Sequence, residues 1–180
     1  MKNVLILMGS GRKGGNTDLL SDSFAEGVRK EGHTVEKIYL LDKKIGPCLG
    51  CGNCQQEGAS CVQKDDMLEI YEKILAADAI VLASPIYYDS WTGLMKLVLD
   101  RTTALEKSMK DKQFYLLSAC GSGNEEGAAT MKDCFEKYVG SFAAMGNRTW
   151  GSVFGFGTDG AGDIKGTSAL KAALEMGKSI

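Results

Sequence analysis

The chain has 180 residues, of which 44% are hydrophobic and 24% charged, with a formal net charge of −2. That is enough chain and apolar content for one well-filled core, so a single domain over residues 1–180 is expected, and the near-neutral charge excludes a polyanion-binding surface and hence nucleic acid. No apolar run approaches the roughly 18 residues of a membrane span, and no signal peptide is apparent, which predicts a cytoplasmic protein that does not enter the membrane.

Val4 to Met8 (VLILM) is short and uniformly apolar, as in a central strand of a parallel sheet covered on both faces. GSGRKGGNT, Gly9 to Thr17, follows it. Its glycines permit a tight turn that aims several N–H groups at one point, Arg12 adds a fixed charge, and Thr17 is expected to cap a helix over Asp18 to Lys30. A helix N-terminus placed there favours a bound anion. The stretch contains G-x-G-x-x-G (Gly9, Gly11, Gly14), but Gly15 delays the helix and the first acid after the second strand, Asp42, comes late. A terminal monophosphate therefore suits the loop better than a dinucleotide pyrophosphate.

Gly32 ends the helix, and Thr34 to Leu41 has the β-branched and aromatic content of a second, parallel strand. His33, the single histidine, falls at the turn and reads as surface. A cysteine-rich loop over residues 44–64 interrupts the alternation before a helix at Met67 to Ala76, which Asp65 or Asp66 would cap and whose Leu68, Tyr71 and Leu75 would share a face. Ala79 to Ala83 is a third strand ending in SPIYYDSW, followed by a helix over Thr92 to Leu105. Gln113 to Ala119 is a fourth strand ending in Cys120, Gly121, Ser122 and Gly123. A helix over Gly127 to Met145, a strand over Thr149 to Phe156 and a helix over Thr167 to Lys178 complete the chain, and Cys120 and Cys134 read as small buried residues. Five strands alternating with helices predict a three-layer α/β sandwich around a parallel sheet.

In that architecture the loops after the first, third and fourth strands leave one edge of the sheet, where ligands of open α/β sheets bind. They offer phosphate chemistry, the flat faces of Tyr87, Tyr88 and Trp91, and close backbone approach at Gly121 to Gly123. Flavin mononucleotide (FMN), a planar ring system carrying one monophosphate, satisfies all three.

Together GSGRKGGNT, SPIYYDSWTGLMKLVLDR and C-x2-C-x2-C-x6-C followed by KDDM resemble the flavodoxin-like NAD(P)H-dependent FMN reductase superfamily, and specifically its iron–sulfur flavoprotein-like branch. The resemblance covers nearly the whole chain and implies a flavodoxin-like sheet of order 2-1-3-4-5. It further implies that Ser10, Arg12, Asn16 and Thr17 hold the FMN phosphate. Pro85, Ile86, Tyr87 and Tyr88 would line the flavin with Ser90 or Trp91 nearby, and Cys120, Gly121, Ser122 and Gly123 would follow the ring edge.

Cys48, Cys51, Cys54 and Cys61 have the spacing of a metal or cluster site. Zinc sites of four cysteines usually use two separated C-x2-C pairs, whereas three closely spaced cysteines are nearer the ferredoxin pattern, although Val62 stands where a ferredoxin has proline. The resemblance implies a 4Fe-4S cluster; zinc, or a loop that holds neither, stays open on spacing alone. With FMN bound, the expected activity is hydride transfer from NAD(P)H to flavin N5 and onward transfer to a quinone, free flavin or metal complex, with no protein acid or base required. The rival readings are an electron-transfer protein reduced through the cluster by a ferredoxin-like partner, and a flavin- or metal-binding module without turnover. The resemblance also implies a homodimer or homotetramer.

Overall fold

The computed structural model describes residues 1–121 and 124–180; Ser122 and Gly123, expected at the ring edge, lie outside the described residues. Five strands, β1 (Asn3–Met8), β2 (Thr34–Tyr39), β3 (Ala79–Ala83), β4 (Gln113–Ala119) and β5 (Arg148–Gly155), pair in the order β2-β1-β3-β4-β5, and every pair is parallel. The expected flavodoxin-like order is therefore the observed one.

The side chains of β1, β3 and β4 are buried on both faces of the sheet, which accounts for their unbroken apolar sequences. Leu5, Leu7, Ile80, Leu82, Phe114 and Leu116 face one core, covered by the helices α2 (Met67–Ala76), α3 (Gly93–Arg101) and α4 (Glu126–Gly140). Val4, Ile6, Met8, Val81, Tyr115 and Leu117 face the other, covered by α1 (Asn16–Lys30) and α5 (Ala169–Lys178). Among the described residues, no helix is long and apolar enough to cross a membrane.

Several boundaries differ from the sequence reading. α1 opens at Asn16 with Gly15 as the N-cap residue, so Thr17 lies inside the first turn and does not cap it. α3 ends at Arg101 and continues as a 3-10 turn over Thr102–Leu105, and α4 stops at Gly140 before a separate 3-10 turn at Ala143–Met145. The inward face of α2 is Met67, Ile70, Tyr71 and Ile74, while Leu68 and Leu75 are exposed. Apolar residues occupy two overlapping helical stripes in α2. The stripe that turns inward is the one whose Met67 N–H is capped by Asp65 and whose Tyr71 hydroxyl donates to the Arg101 carbonyl.

The helix that begins at the phosphate-type loop is held by an unusually close crossing. A Cβ built on Gly27 of α1 would fall 2.1 Å from the Leu174 carbonyl oxygen, and one on Gly177 of α5 would fall 2.1 Å from the Phe24 carbonyl oxygen. Both positions need glycine because backbone occupies the side-chain space. Gly27→Ala or Gly177→Ala should force the helices apart at a cost of about 1–3 kcal/mol, the usual penalty of overpacking. Differential scanning calorimetry should show a fall in Tm of several degrees, at about 2–4 °C per kcal/mol for a chain of this size.

Candidate functional site

At the carboxyl edge of the sheet the strand-ending loops are tied to one another by polar bonds. The Gly9 N–H donates to the Ala83 carbonyl (2.7 Å), and the Thr92 hydroxyl donates to the Gly9 carbonyl (2.8 Å) while capping α3 at Met95 N–H. Ser84 Oγ accepts from Thr92 N–H, and its carbonyl accepts from the buried Ser118 hydroxyl (2.7 Å). Cys120 N–H donates to the Gly155 carbonyl, and the Cys120 carbonyl accepts from both the N–H and the hydroxyl of Thr158 (3.0 Å each).

These ties surround an open cleft of about 240 Å³ lined by Ser10, Arg12, Gly15, Asn16, Thr17, Pro85, Ile86, Tyr87, Ala119, Cys120, Gly121, Thr158 and Asp159. A larger hollow of about 650 Å³ lies beside β5, between α4 and α5. The smaller cleft is the candidate site because it alone lies where the strands end and donors converge.

Its donor-rich end is built by α1. The first intrahelical-type bond runs from Leu19 N–H to the Gly15 carbonyl, and among the described residues the N–H groups of Asn16, Thr17 and Asp18 donate to no protein acceptor. Three free donors at a helix start form an anion site. The Thr17 hydroxyl likewise has no partner among the described residues, and Arg12 has no carboxylate partner there. Ser10 is buried and its hydroxyl accepts from Arg12 N–H (3.1 Å), which closes the turn beneath the donors. The loop is braced from behind by Asp18, whose carboxylate accepts from Gly14 N–H (2.8 Å), Lys37 (2.7 Å) and the Tyr39 hydroxyl (3.1 Å). Burial alone would push the Asp18 carboxyl up, but the bonds from Lys37, Gly14 and Tyr39 together with the Lys37 charge hold it below its ordinary value. It therefore stays ionised, and it spends its charge on Lys37, facing away from the anion site.

The ring-side wall is a tight hairpin. Tyr87 and Ser90 exchange both backbone hydrogen bonds around Tyr88 and Asp89, which have positive φ of 49° and 61°. That is the backbone of a type I′ turn, held here by two non-glycine residues at a conformational cost. The hairpin leaves Tyr87 about half exposed and Tyr88 fully exposed, whereas Trp91 turns into the core under α3. Tyr87 lines the cleft; Tyr88, Ser90 and Trp91 do not. The side chain of Asn16 bonds to backbone groups of residues 158–164. Thr158 and Asp159, absent from the sequence reading, form a further wall. A fifth parallel strand sends its loop to this same edge, but nothing in the residues of that loop marked these two as lining the cleft.

The four cysteines of the 44–64 loop line a second cavity of about 320 Å³ at the opposite end of α3. Cys48 and Cys51 are exposed, and Cys54 and Cys61 are half-buried. Among the described residues, no three cysteine, histidine or carboxylate side chains converge tightly enough for one metal ion. Four thiolates lining one cavity are the donor chemistry of either a zinc site or an iron–sulfur cluster. Arg101, only 1% exposed in its side chain, anchors the loop: its guanidinium meets both oxygens of Asp65 (2.8 and 3.0 Å), the Gly46 carbonyl (3.0 Å) and Cys61 Sγ (3.4 Å). Asp65 also accepts from Gly46 and Met67 N–H.

The comparisons with known proteins agree with this geometry. Residues 2–153 match the family model described as NADPH-dependent FMN reductase. The chain is 31% identical over 154 residues to an iron–sulfur flavoprotein of Methanosarcina thermophila, covering 80% of each chain. It is 45% identical over 101 residues to an iron–sulfur flavoprotein of Archaeoglobus fulgidus, a match that covers 56% of this chain but only 45% of that relative's length. In structure it superposes on an NAD(P)H:quinone oxidoreductase from Methanothermobacter marburgensis with a TM-score of 0.79 at 19% identity, covering 99% of this chain and 96% of the other. The chain belongs to the NADPH-dependent FMN reductase family, and within it to the branch of proteins called iron–sulfur flavoproteins.

The Asp65 fork carries a pH signature. The hydrogen bond from Arg101 is the main reason the Asp65 carboxyl falls from its ordinary 3.8 to about 2. A depressed carboxyl stabilises the fold above its unfolded value and loses that contribution as pH falls through its folded value. Asp65→Ala should cost about 3–5 kcal/mol at neutral pH by leaving a buried cation unpaired. Thermal melts should show the gap between wild type and variant constant above about pH 4 and narrowing towards pH 2. Asp66→Ala, which removes only the bond to Lys44 N–H, should cost about 1 kcal/mol.

Proposed function

We propose that the protein is an FMN-dependent oxidoreductase that accepts hydride from NAD(P)H and delivers electrons to a small acceptor, a quinone, a flavin or a metal complex. The observation that supports this most directly is one cleft that holds, among the described residues, the unpartnered N–H groups at the start of α1 and an Arg12 without a carboxylate partner together with the apolar wall of Pro85, Ile86 and Tyr87. A phosphate requires the first and a ring system the second. FMN, when bound, would supply the hydride acceptance and the one- or two-electron release that no side chain here provides.

The chain's own contributions are binding and electrostatics. Arg12, the Thr17 hydroxyl and the backbone N–H groups of Asn16 to Asp18 compensate a phosphate dianion. Pro85 and Ile86 exclude water from one side of the ring position, and the exposed Tyr87 and Tyr88 leave the opposite approach open for exchanging a nicotinamide for an acceptor. Gly121 keeps side-chain bulk from the ring edge, since a Cβ there would fall 1.9 Å from Asp159 Oδ1.

A second reading is supported by the four cysteines sharing one cavity. In it, Cys48, Cys51, Cys54 and Cys61 hold a 4Fe-4S cluster that supplies single-electron transfer, and a ferredoxin-like protein is the partner. The two readings differ in reductant.

Anaerobic purification with absorption spectroscopy and iron and sulfide assays separates them: rapid bleaching of a flavin spectrum by NADH or NADPH is expected for the first, and stoichiometric iron and sulfide with slow bleaching for the second. A protein that cannot be loaded with FMN would overturn both. Arg12→Ala should weaken FMN binding by about 1.5–3 kcal/mol, roughly ten- to hundredfold, in a fluorescence titration, with riboflavin affinity unchanged.

A further inference from the structure

Asn16 stands at the mouth of the anion site, yet its side chain is spoken for. A carboxamide has two donors and two acceptor lone pairs. Here Nδ2 donates to the carbonyls of Thr158 (2.9 Å) and Gly160 (2.8 Å), and Oδ1 accepts from the N–H groups of Gly162 (2.9 Å) and Ile164 (3.3 Å). All four positions are filled by backbone more than 140 residues away in sequence. Only the backbone N–H of Asn16 remains for an anion.

The segment it grips is held in addition at Ile164, which is fully buried in the core, and at Thr158. It is a run of turns closed by Asp163 on Gly160 N–H (2.6 Å), with Gly157 and Gly162 at positive φ. Thr158 is bound through its N–H and hydroxyl to the Cys120 carbonyl. Thr158 therefore bridges the loop after β1, through Asn16, to the loop after β4. This places the exposed Asp159 in the cleft against Gly121. Among the described residues no donor bonds to the Asp159 carboxylate in any of the hydrogen bonds or ion pairs of the cleft. A carboxylate accepts only, and it repels a phosphate. FMN offers a carboxylate two kinds of donor, the ring N3–H and the ribityl hydroxyls; the hydroxyls lie on the chain that carries the phosphate, on the side where Asn16 holds this loop, and riboflavin shares them.

We propose that Asn16 is a positioning residue: its amide builds the Thr158–Asp159 wall into the cofactor cleft, and that wall recognises the hydroxylated chain of the flavin, leaving the phosphate to Arg12 and the N–H groups of α1. This rests on the FMN reading of the cleft.

The test compares two ligands. Full-length apoprotein is titrated with FMN and with riboflavin, following flavin fluorescence, for wild type, Asn16→Ala, Asp159→Ala and Arg12→Ala. Asn16→Ala is expected to weaken both ligands by the same factor, at least tenfold, and Asp159→Ala to weaken riboflavin severalfold; Arg12→Ala weakens FMN alone. Hydrogen exchange of the ligand-free protein supplies an independent readout. The amides of Gly162 and Ile164 should be protected in wild type and in Arg12→Ala, and should exchange faster in Asn16→Ala. If Asn16→Ala does not fold, Asn16→Ser carries the same comparison. Loss of FMN affinity with riboflavin affinity intact would make Asn16 a phosphate ligand and overturn the proposal, as would unchanged exchange at Gly162 and Ile164. Wild-type protein that binds neither flavin would overturn the FMN reading instead, while the exchange result would still decide the role of the Asn16 amide in the fold.

Discussion

Where parallel strands end together, their last N–H and C=O groups lose the neighbours that satisfied them, and in a buried edge each needs a new partner. That requirement governs this molecule. The termini of β1, β3, β4 and β5 are closed by bonds between loops: Gly9 to Ala83, Thr92 to Gly9, Ser118 to Ser84, Cys120 to Gly155 and Thr158 to Cys120. Each bond satisfies a group of the sheet and also fixes a loop, so the cleft is a by-product of completing the sheet's hydrogen bonding. The donors left over, at the start of α1, are the ones a ligand can use. Because the close glycine crossing with α5 holds α1 in place, those donors are set by packing far from the cleft.

α3 carries the same logic to the second cavity. It starts at Thr92, which bonds to the loop after β1, and ends at Arg101, which bonds to the cysteine loop. Its nine residues span roughly 13 Å at 1.5 Å per residue. The cysteine loop contributes little apolar burial and is attached through a buried guanidinium, whose charge must be matched wherever the loop sits. The Asp65 carboxylate meets that need while accepting from Gly46 and Met67 N–H, so one residue sets the loop, the start of α2 and the neutralisation of Arg101. A loop held in this manner has a defined position relative to the cleft without a core of its own.

The centre of the sheet was legible in the sequence because β1, β3 and β4 are covered on both faces, and VLILM, AIVLA and QFYLLSA leave no alternative period. The face of α2 was not, because Met67 and Leu68 begin two overlapping apolar stripes that share Tyr71, and packing against the sheet decides which of them is buried. Trp91 shows the same limit: adjacency to Tyr87 and Tyr88 in sequence suggested a shared surface, but a type I′ turn reverses the chain at Tyr88 and Asp89 and sends Trp91 inward. Glycine patterns pointed to the loop after β1, which lines the cleft. They carried no information on Thr158 and Asp159, whose membership follows from bonds to Asn16 and Cys120 spanning most of the chain.

The type I′ hairpin shows how the edge constraint reaches function. Tyr88 and Asp89 hold positive φ without glycine, a conformation that L residues adopt at a cost of order 1–3 kcal/mol each. Within the hairpin the two backbone bonds between Tyr87 and Ser90 offset part of that cost, while Tyr88 is fully exposed and contributes no burial. Further compensation comes from both sides of the turn, where Ile86 N–H is bound to the Ala119 carbonyl and Trp91 is buried beneath α3. With those two anchors fixed by the sheet edge and the core, a two-residue reversal is the short way to connect them. It leaves an aromatic pair standing at the rim of the cleft, where a ring-shaped partner can reach it, and the strain that keeps it there is borne by the fold.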